Sequence, residues 1–392
     1  MPEIIPPLRA PKRLLLGPGP SMVAPRVYEA LGQPLVGHLD PFYFEVSEEV
    51  RRLIGMAFST ANDFNLAISG TGTSGMEAAV ANFAAPGEKF AVFVAGFFAD
   101  RLTEMARRQG AEVVRFDKPW GAVFDDAEAR DFILGERPRV VAFVQAETST
   151  GAYQPGKAIC EAAHEAGALV IADCVTSLGG MPVLVDENGI DIAYSCSQKG
   201  LSCPPGLAPM TVSPRALERL RARKNPPHSF YLDLLLLEGY YRGRKYHHTA
   251  SASMLYAIRE GLAIVAEEGL EARWERHRRN HLAFVAGIEA MGLAMHVAAG
   301  SRLWTLNTPR VPDGIDDAKI RARLLAEHNI EIAGGFGPLA GKVFRIGLMG
   351  HSSTAENVLL ILDALEGALR AEGYRGGENG RHAAEQALAA SR

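Results

Sequence analysis

From residue 64 onward, short and mostly apolar runs recur at 65–68, 90–94, 112–116, 140–144, 168–172, 190–194 and 209–212, separated by amphipathic stretches. Runs of this length, apolar on both faces, read as buried strands. The stretches near 75–84, 98–109, 125–134 and 156–166 carry the helical period, and two of them stop at Gly110 and Gly167, the residue that most easily takes a left-handed C-cap. Strands alternating with helices predict parallel pairing through right-handed crossovers. The expected fold is therefore α/β, with a large, mostly parallel seven-stranded sheet domain over residues 21–250. Ahead of the sheet, Val46, Val50, Leu53, Ile54 and Ala57 lie on one helical face. The first 20 residues are proline-rich and end in Leu14-Leu15-Leu16-Gly17-Pro18-Gly19-Pro20, which predicts an extended arm with a tight turn, lying over its own domain or reaching a neighbour.

After Thr249 the pattern changes. A long helical region over 251–291 leads to a strand-like 303–308, a helix over 317–328, a strand over 342–347 and a helix over 355–371. This predicts a smaller C-terminal α+β domain over 251–375. The tail, 376–392, opens on Gly376-Gly377 and continues as an alanine-rich helix with no assigned role.

With 392 residues, 47% hydrophobic and 22% charged, the chain reads as an ordinary globular protein of more than one domain. A net charge of −4 leaves no basic excess for nucleic acid, and the arginines of 273–279 alternate with Glu271 and Glu275 as on solvated helix faces. No apolar stretch is long enough to span a membrane, and prolines at 2, 6 and 7 interrupt any signal-peptide core. The four cysteines, Cys160, Cys174, Cys196 and Cys203, lack metal-ligand spacing and are expected as reduced core residues of a cytoplasmic protein.

The candidate chemistry centres on Ser197-Gln198-Lys199-Gly200, just past the apolar run at 190–194. Open α/β sheets bind ligands at the C-terminal ends of their strands, so Lys199 is placed to hold a cofactor as a Schiff base. Asp173 ends the apolar run at 168–172. A carboxylate there is costly to bury without a cationic partner. Placed two strands away from Lys199 on one sheet edge, it suits the task of keeping a pyridine nitrogen protonated. Gly70-Thr71-Gly72-Thr73-Ser74-Gly75 follows one strand and opens a helix, forming a phosphate cradle. The same glycines fit a dinucleotide fingerprint, but the next strand ends in Val94-Ala95-Gly96 without the acid a ribose requires, and no Walker lysine follows. A single phosphate is favoured.

Further motifs follow in order: Glu147-Thr148-Ser149-Thr150-Gly151, Asp173-Cys174-Val175-Thr176-Ser177-Leu178-Gly179-Gly180, Ser229-Phe230-Tyr231-Leu232-Asp233, Tyr246-His247-His248-Thr249 and Arg345-Ile346-Gly347-Leu348-Met349-Gly350. With the glycine loop and Ser197-Gln198-Lys199, these resemble the class V pyridoxal-phosphate-dependent aminotransferases of the alanine–glyoxylate and serine–glyoxylate group, over roughly residues 14 to 370. The resemblance implies the fold-type I architecture of pyridoxal 5'-phosphate enzymes and transamination of a small L-amino acid, alanine or serine, with glyoxylate or pyruvate by a ping-pong scheme. Lys199 would be the Schiff-base lysine and proton shuttle, and Asp173 the partner of the pyridine nitrogen. Gly72, Thr73 and Gln198 would bind the phosphate, Thr148 would lie beside the ring hydroxyl, and Val175 and Phe98 would sandwich the ring. Arg345 would bind the substrate carboxylate. Tyr246 and Thr249 would reach the phosphate of the second subunit, making the site complete only in a homodimer.

Three positions depart from the pattern: Phe98 stands where some members have Trp or Tyr, Thr148 where a Ser is found, and Thr73 where a His is found. A cysteine desulfurase is excluded by the lack of any cysteine after Cys203. A pyridoxamine–pyruvate aminotransferase-like enzyme, which uses the unphosphorylated vitamin, would carry an acidic residue in the glycine loop, where Thr71, Thr73 and Ser74 stand. A non-catalytic binding protein on the same fold would have little use for the set Lys199, Asp173 and Arg345.

Overall fold

Seven strands form the central sheet of the computed structural model, which describes residues 5–377 and 379–390. They are β1 (Phe64–Ser69), β2 (Lys89–Val94), β3 (Glu112–Asp117), β4 (Val140–Val144), β5 (Leu169–Asp173), β6 (Ile192–Tyr194) and β7 (Leu207–Val212), in spatial order β1-β7-β6-β5-β4-β2-β3. Helices α1 (Gly72–Phe83), α2 (Phe97–Arg108), α3 (Asp126–Glu136) and α4 (Lys157–Glu165) return the chain between the first five strands. Gly110 and Gly167 take φ of +82° and +77° just beyond α2 and α4, as their position in the pattern predicts.

Three expectations change. β7 runs antiparallel to both of its neighbours, β1 and β6. The segment 195–206 holds the Lys199 turn and no helix, so it cannot build a parallel crossover. β3 is an edge strand, partly exposed along its length rather than buried on both faces. The strands leading to Asp173 and Lys199 are immediate neighbours rather than two apart, with Asp173 opposite Tyr194 in register.

The large core runs through the sheet and its covering helices and takes in Leu255, Ile258, Leu262 and Val265 of helix α5 (Ala252–Glu268). The helical region ahead is broken at Gly269, where φ is +81°, and α6 (Leu270–Ala290) turns Phe284 and Ile288 into a second core. That core also holds Ile320 and Leu324 of α7 (Asp317–His328), Phe344 and Ile346, and Ile361 and Leu365 of α8 (Ala355–Ala371). A three-stranded sheet completes it: β8 (Leu306–Asn307), β9 (Ala333–Gly334) and β10 (Phe344–Gly347). Helix α9 (Gly380–Ala390) adds Ala384 to the same core.

The N-terminal arm lies over its own chain. Leu14–Leu15 pairs in parallel with Ile330–Glu331, and Leu16 accepts from Gly347 N, next to the strand that carries Arg345. Leu16 is fully buried in the second core, which contributes about 1.5–3 kcal/mol to holding the arm down. Farther on, Ser21 N donates to Gln198 O at 2.8 Å and Ser21 Oγ to Lys199 O at 2.7 Å. One strap thereby joins the small core to the Lys199 turn.

Candidate active site

The C-terminal ends of β1, β2, β4, β5 and β6 converge on a cavity of about 410 Å³, a usual size for a small-molecule site. Gly72, Thr73, Phe98, Thr148, Asp173, Val175, Gln198, Lys199 and Arg345 all line it, with Gly17–Pro20 of the strap as one wall. Tyr246 and Thr249 do not. Tyr246 is 64% exposed with its ring on His38, and Thr249 is exposed. Between them, His248 Nε2 meets Ser69 Oγ at 2.8 Å, so the segment is tied to the end of β1 while Tyr246 faces outward.

Lys199 is buried, 6% exposed, and its Nζ donates to Thr148 Oγ1 at 2.9 Å and Thr176 Oγ1 at 3.0 Å. The two hydroxyls also bond each other. Both acceptors are neutral. Burial therefore dominates and pulls the amine down to about 8, against smaller upward pulls from Cys196 and Asp173. Gly19, at φ +122°, crosses the lysine stem so closely that a Cβ there would stand 3.2 Å from Lys199 Cε.

Asp173 is held from two sides. Oδ1 accepts from Val175 N and Oδ2 from Tyr194 OH, both at 2.9 Å. Burial pushes the carboxyl up to about 6, which these hydrogen bonds and Lys199 oppose. Thr176 lies three residues beyond Asp173 because the chain turns back after β5, so one turn supplies both a carboxylate and a lysine acceptor.

Helix α1 opens at Gly72 with no side-chain cap, leaving its first N–H groups aimed at the cavity. A Cβ on Gly72 would stand 3.1 Å from Cys196 Cβ and 3.3 Å from Val175 Cγ2, so glycine lets the helix end sit this close to the sheet edge without displacing them. Beside it, Gln198 Oε1 is buried and makes no hydrogen bond among the described residues. On the opposite wall, Arg345 is buried, donates from Nε to Gly334 O at 2.7 Å and stacks on Phe336 with its guanidinium carbon 3.9 Å from the ring centre. Burial lowers its guanidinium to about 10.

Several contributors were not legible as such. Glu147 reaches back to cap α2, its Oε2 accepting from Phe98 N at 3.2 Å, and burial pushes its carboxyl up. Gly96 has no Cβ because one would fall 2.3 Å from Glu147 Cγ. Arg273 overturns the expectation of a solvated helix face. It is 2% exposed, and its guanidinium donates to Gly179 O and Gly200 O, both at 2.6 Å, and to Glu268. The apparent alternation of charges hides that α6 docks this face onto the turns after Asp173 and Lys199. The exposed pair Arg278–Glu275 alone would have followed the expected pattern. The four cysteines are free and buried, as their spacing predicts.

A buried amine and a buried carboxylate thus stand on adjacent strand ends of one cavity, facing an uncapped helix start and an arginine, a convergence of titratable groups typical of enzyme sites. The aminotransferase class-V family model matches residues 36–359, and the chain belongs to that family and is an aminotransferase. Membership implies pyridoxal phosphate. The fold superposes on the crystal structure of an alanine–glyoxylate aminotransferase from Nostoc sp. with a TM-score of 0.92 and 47% identity, covering 94% of this chain and 98% of that one. The (S)-ureidoglycine–glyoxylate transaminase of Bacillus subtilis is 41% identical, over 92% of each chain. A pyridoxamine–pyruvate aminotransferase from Mesorhizobium loti superposes with a TM-score of 0.93 at 28% identity, covering 98% of this chain and 99% of that one.

Proposed function

We propose that this chain transfers the amino group of a small L-amino acid, alanine or serine, to glyoxylate, with pyridoxal 5'-phosphate held in the cavity. The observation that carries the reading is the buried Lys199 amine, resting on two threonine hydroxyls across from buried Asp173 in a cavity that also contains Arg345. The residues fit the cofactor: the uncapped start of α1, the Thr73 hydroxyl and the side-chain amide N–H donors of Gln198 suit a phosphate, and Val175 and Phe98 suit the two faces of a ring. When bound, the cofactor supplies a protonated pyridine that withdraws electrons from the donor's α-carbon.

Asp173, with both oxygens already ordered by Val175 N and Tyr194 OH, holds the pyridine proton. Lys199 Nζ would hold the cofactor through its aldehyde group and, as a free amine, would be the base that takes the donor's α-proton and the acid that returns one. Its lowered pKa leaves a useful fraction of free amine near neutral pH. Thr148 orients the ring hydroxyl. Arg345 binds the substrate carboxylate with its terminal nitrogens, which make no hydrogen bond among the described residues. The donor leaves as a keto acid before glyoxylate enters the same space and leaves as glycine, so the kinetics are ping-pong. Tyr246 and Thr249, outside their own cavity, support a homodimer in which each completes the partner's phosphate site. Free buried cysteines support a cytoplasmic location.

The likeness to the pyridoxamine–pyruvate enzyme favours a second reading, use of the unphosphorylated vitamin with pyruvate. The loop from Gly70 to Gly75 contains no acid to stand in for a phosphate, which weighs against it. The deciding test is the absorption spectrum of the purified protein before and after L-alanine and then L-serine, beside Lys199→Ala. A visible band that a donor bleaches, and that the variant lacks, supports the reading. A protein that stays colourless after added pyridoxal phosphate refutes it and revives a non-catalytic binding role.

A further inference from the structure

We propose that Arg101 is an additional anion-binding residue of this cavity, the side chain that makes it select the phosphorylated cofactor over the free vitamin. The inference rests on the reading above and sharpens it. Arg101 sits on α2 one turn beyond Phe98, so the two side chains share a helix face. Its guanidinium carbon lies 4.9 Å from the ring centre of Phe98 and 5.2 Å from that of Phe97, in the notch of an edge-to-face pair. The aromatic notch fixes the group in place without neutralising it.

No carboxylate pairs with Arg101 among the described residues. The acid beside it in sequence, Asp100, turns away and pairs with Arg115 at 2.9 Å. Instead Arg101 Nη1 donates to Thr73 Oγ1 at 3.0 Å. A hydroxyl that accepts from a guanidinium keeps its own hydrogen for an outside acceptor, so Arg101 sets Thr73 as a donor. Three positive features then meet at one corner of the cavity: the start of α1, the Thr73 hydroxyl and a cation with no counter-ion.

Two anions could answer that charge, a cofactor phosphate or a substrate carboxylate. The contact with Thr73, at the first turn of α1, favours phosphate. The carboxylate already has Arg345, on the wall formed by β10 and Phe336. A phosphate dianion also gains more from a planar, two-pronged donor than a carboxylate of single charge does.

The test measures binding rather than turnover. Wild type, Arg101→Gln and Arg101→Lys, freed of cofactor, are titrated with pyridoxal phosphate and with pyridoxal, and the KM for the keto acid is measured on each reloaded protein. The expected result is that Arg101→Gln weakens pyridoxal phosphate roughly 10- to 100-fold, the loss of one charge-assisted contact, with pyridoxal affinity and KM unchanged. Arg101→Lys restores part of the difference. Equal losses for both ligands, or a raised KM with an unchanged ratio of affinities, would overturn the assignment while leaving the transaminase reading intact. If wild type took up neither ligand at Lys199, both would fall together.

Discussion

Replacing Thr176 with valine removes one of the two hydroxyls that accept from Lys199 Nζ while keeping the branched shape of a fully buried side chain. A hydrogen bond to a charged group contributes about 1.5–3 kcal/mol, and each 1.36 kcal/mol of difference between protonation states moves a pKa by about one unit. The neutral amine also bonds a hydroxyl, so the lower end applies. The amine, about 8 in the wild type, is expected to fall by about one unit or slightly more in Thr176→Val. The assay mixes cofactor-free protein with pyridoxal phosphate across a pH series and follows the rate of covalent capture, which tracks the free amine. Titrations of the aldehyde itself cancel between variants. The counter-intuitive outcome is that the valine variant captures faster than wild type below its midpoint, by about tenfold two units under the wild-type pKa. Thr176→Ser keeps the wild-type profile. A midpoint that stays in place in Thr176→Val, even with a lower plateau or a lower melting temperature, would show that Thr176 only packs and would refute the reasoning.

Gly96→Ala would place a Cβ 2.3 Å from Glu147 Cγ, with φ at 179° and hence no backbone strain, so the cost is steric, about 1–3 kcal/mol of stability in denaturant melts; an unchanged midpoint would contradict this. Burial pushes the Glu268 carboxyl up, but Arg276 and Arg273 outweigh it and hold the group at about 2. Because its folded pKa lies below the ordinary 4.5, its stabilisation is complete above that pH and is lost as pH falls towards 2, so Glu268→Gln should flatten the acid limb of a stability–pH curve in this window alone. Arg345→Gln is expected to raise the KM of donor and acceptor by roughly 10- to 100-fold while the cofactor band persists, since the substitution leaves the Lys199 wall untouched; loss of the band would mean that Arg345 serves the cofactor instead.

Much of the site was legible because it lies in short local signals. The glycine loop, Asp173 at the end of an apolar run and Lys199 after the next one each need only a strand end and a following turn. What escaped was relational. Arg273 reads as one more surface arginine until α6 docks it on Gly179 O and Gly200 O. Arg101 follows Asp100 in sequence like a neutralised pair, yet the two side chains leave the helix in different directions. Glu147 looks like part of a polar loop, and only the approach of α2 turns it into a cap.

The amino-acid pattern alone determined the seven strands of the central sheet, most helix limits, the glycine stops and the chemical types gathered at the strand ends, because periodicity and backbone preference act over a few residues. Tertiary structure decided that β7 reverses, that β5 and β6 are neighbours, that the N-terminal strap crosses Lys199, and that two threonine hydroxyls accept from its Nζ. Those outcomes depend on how distant elements bury their apolar faces together. The same burial removes water from Lys199 and Asp173, so it also moved their pKa values towards each other.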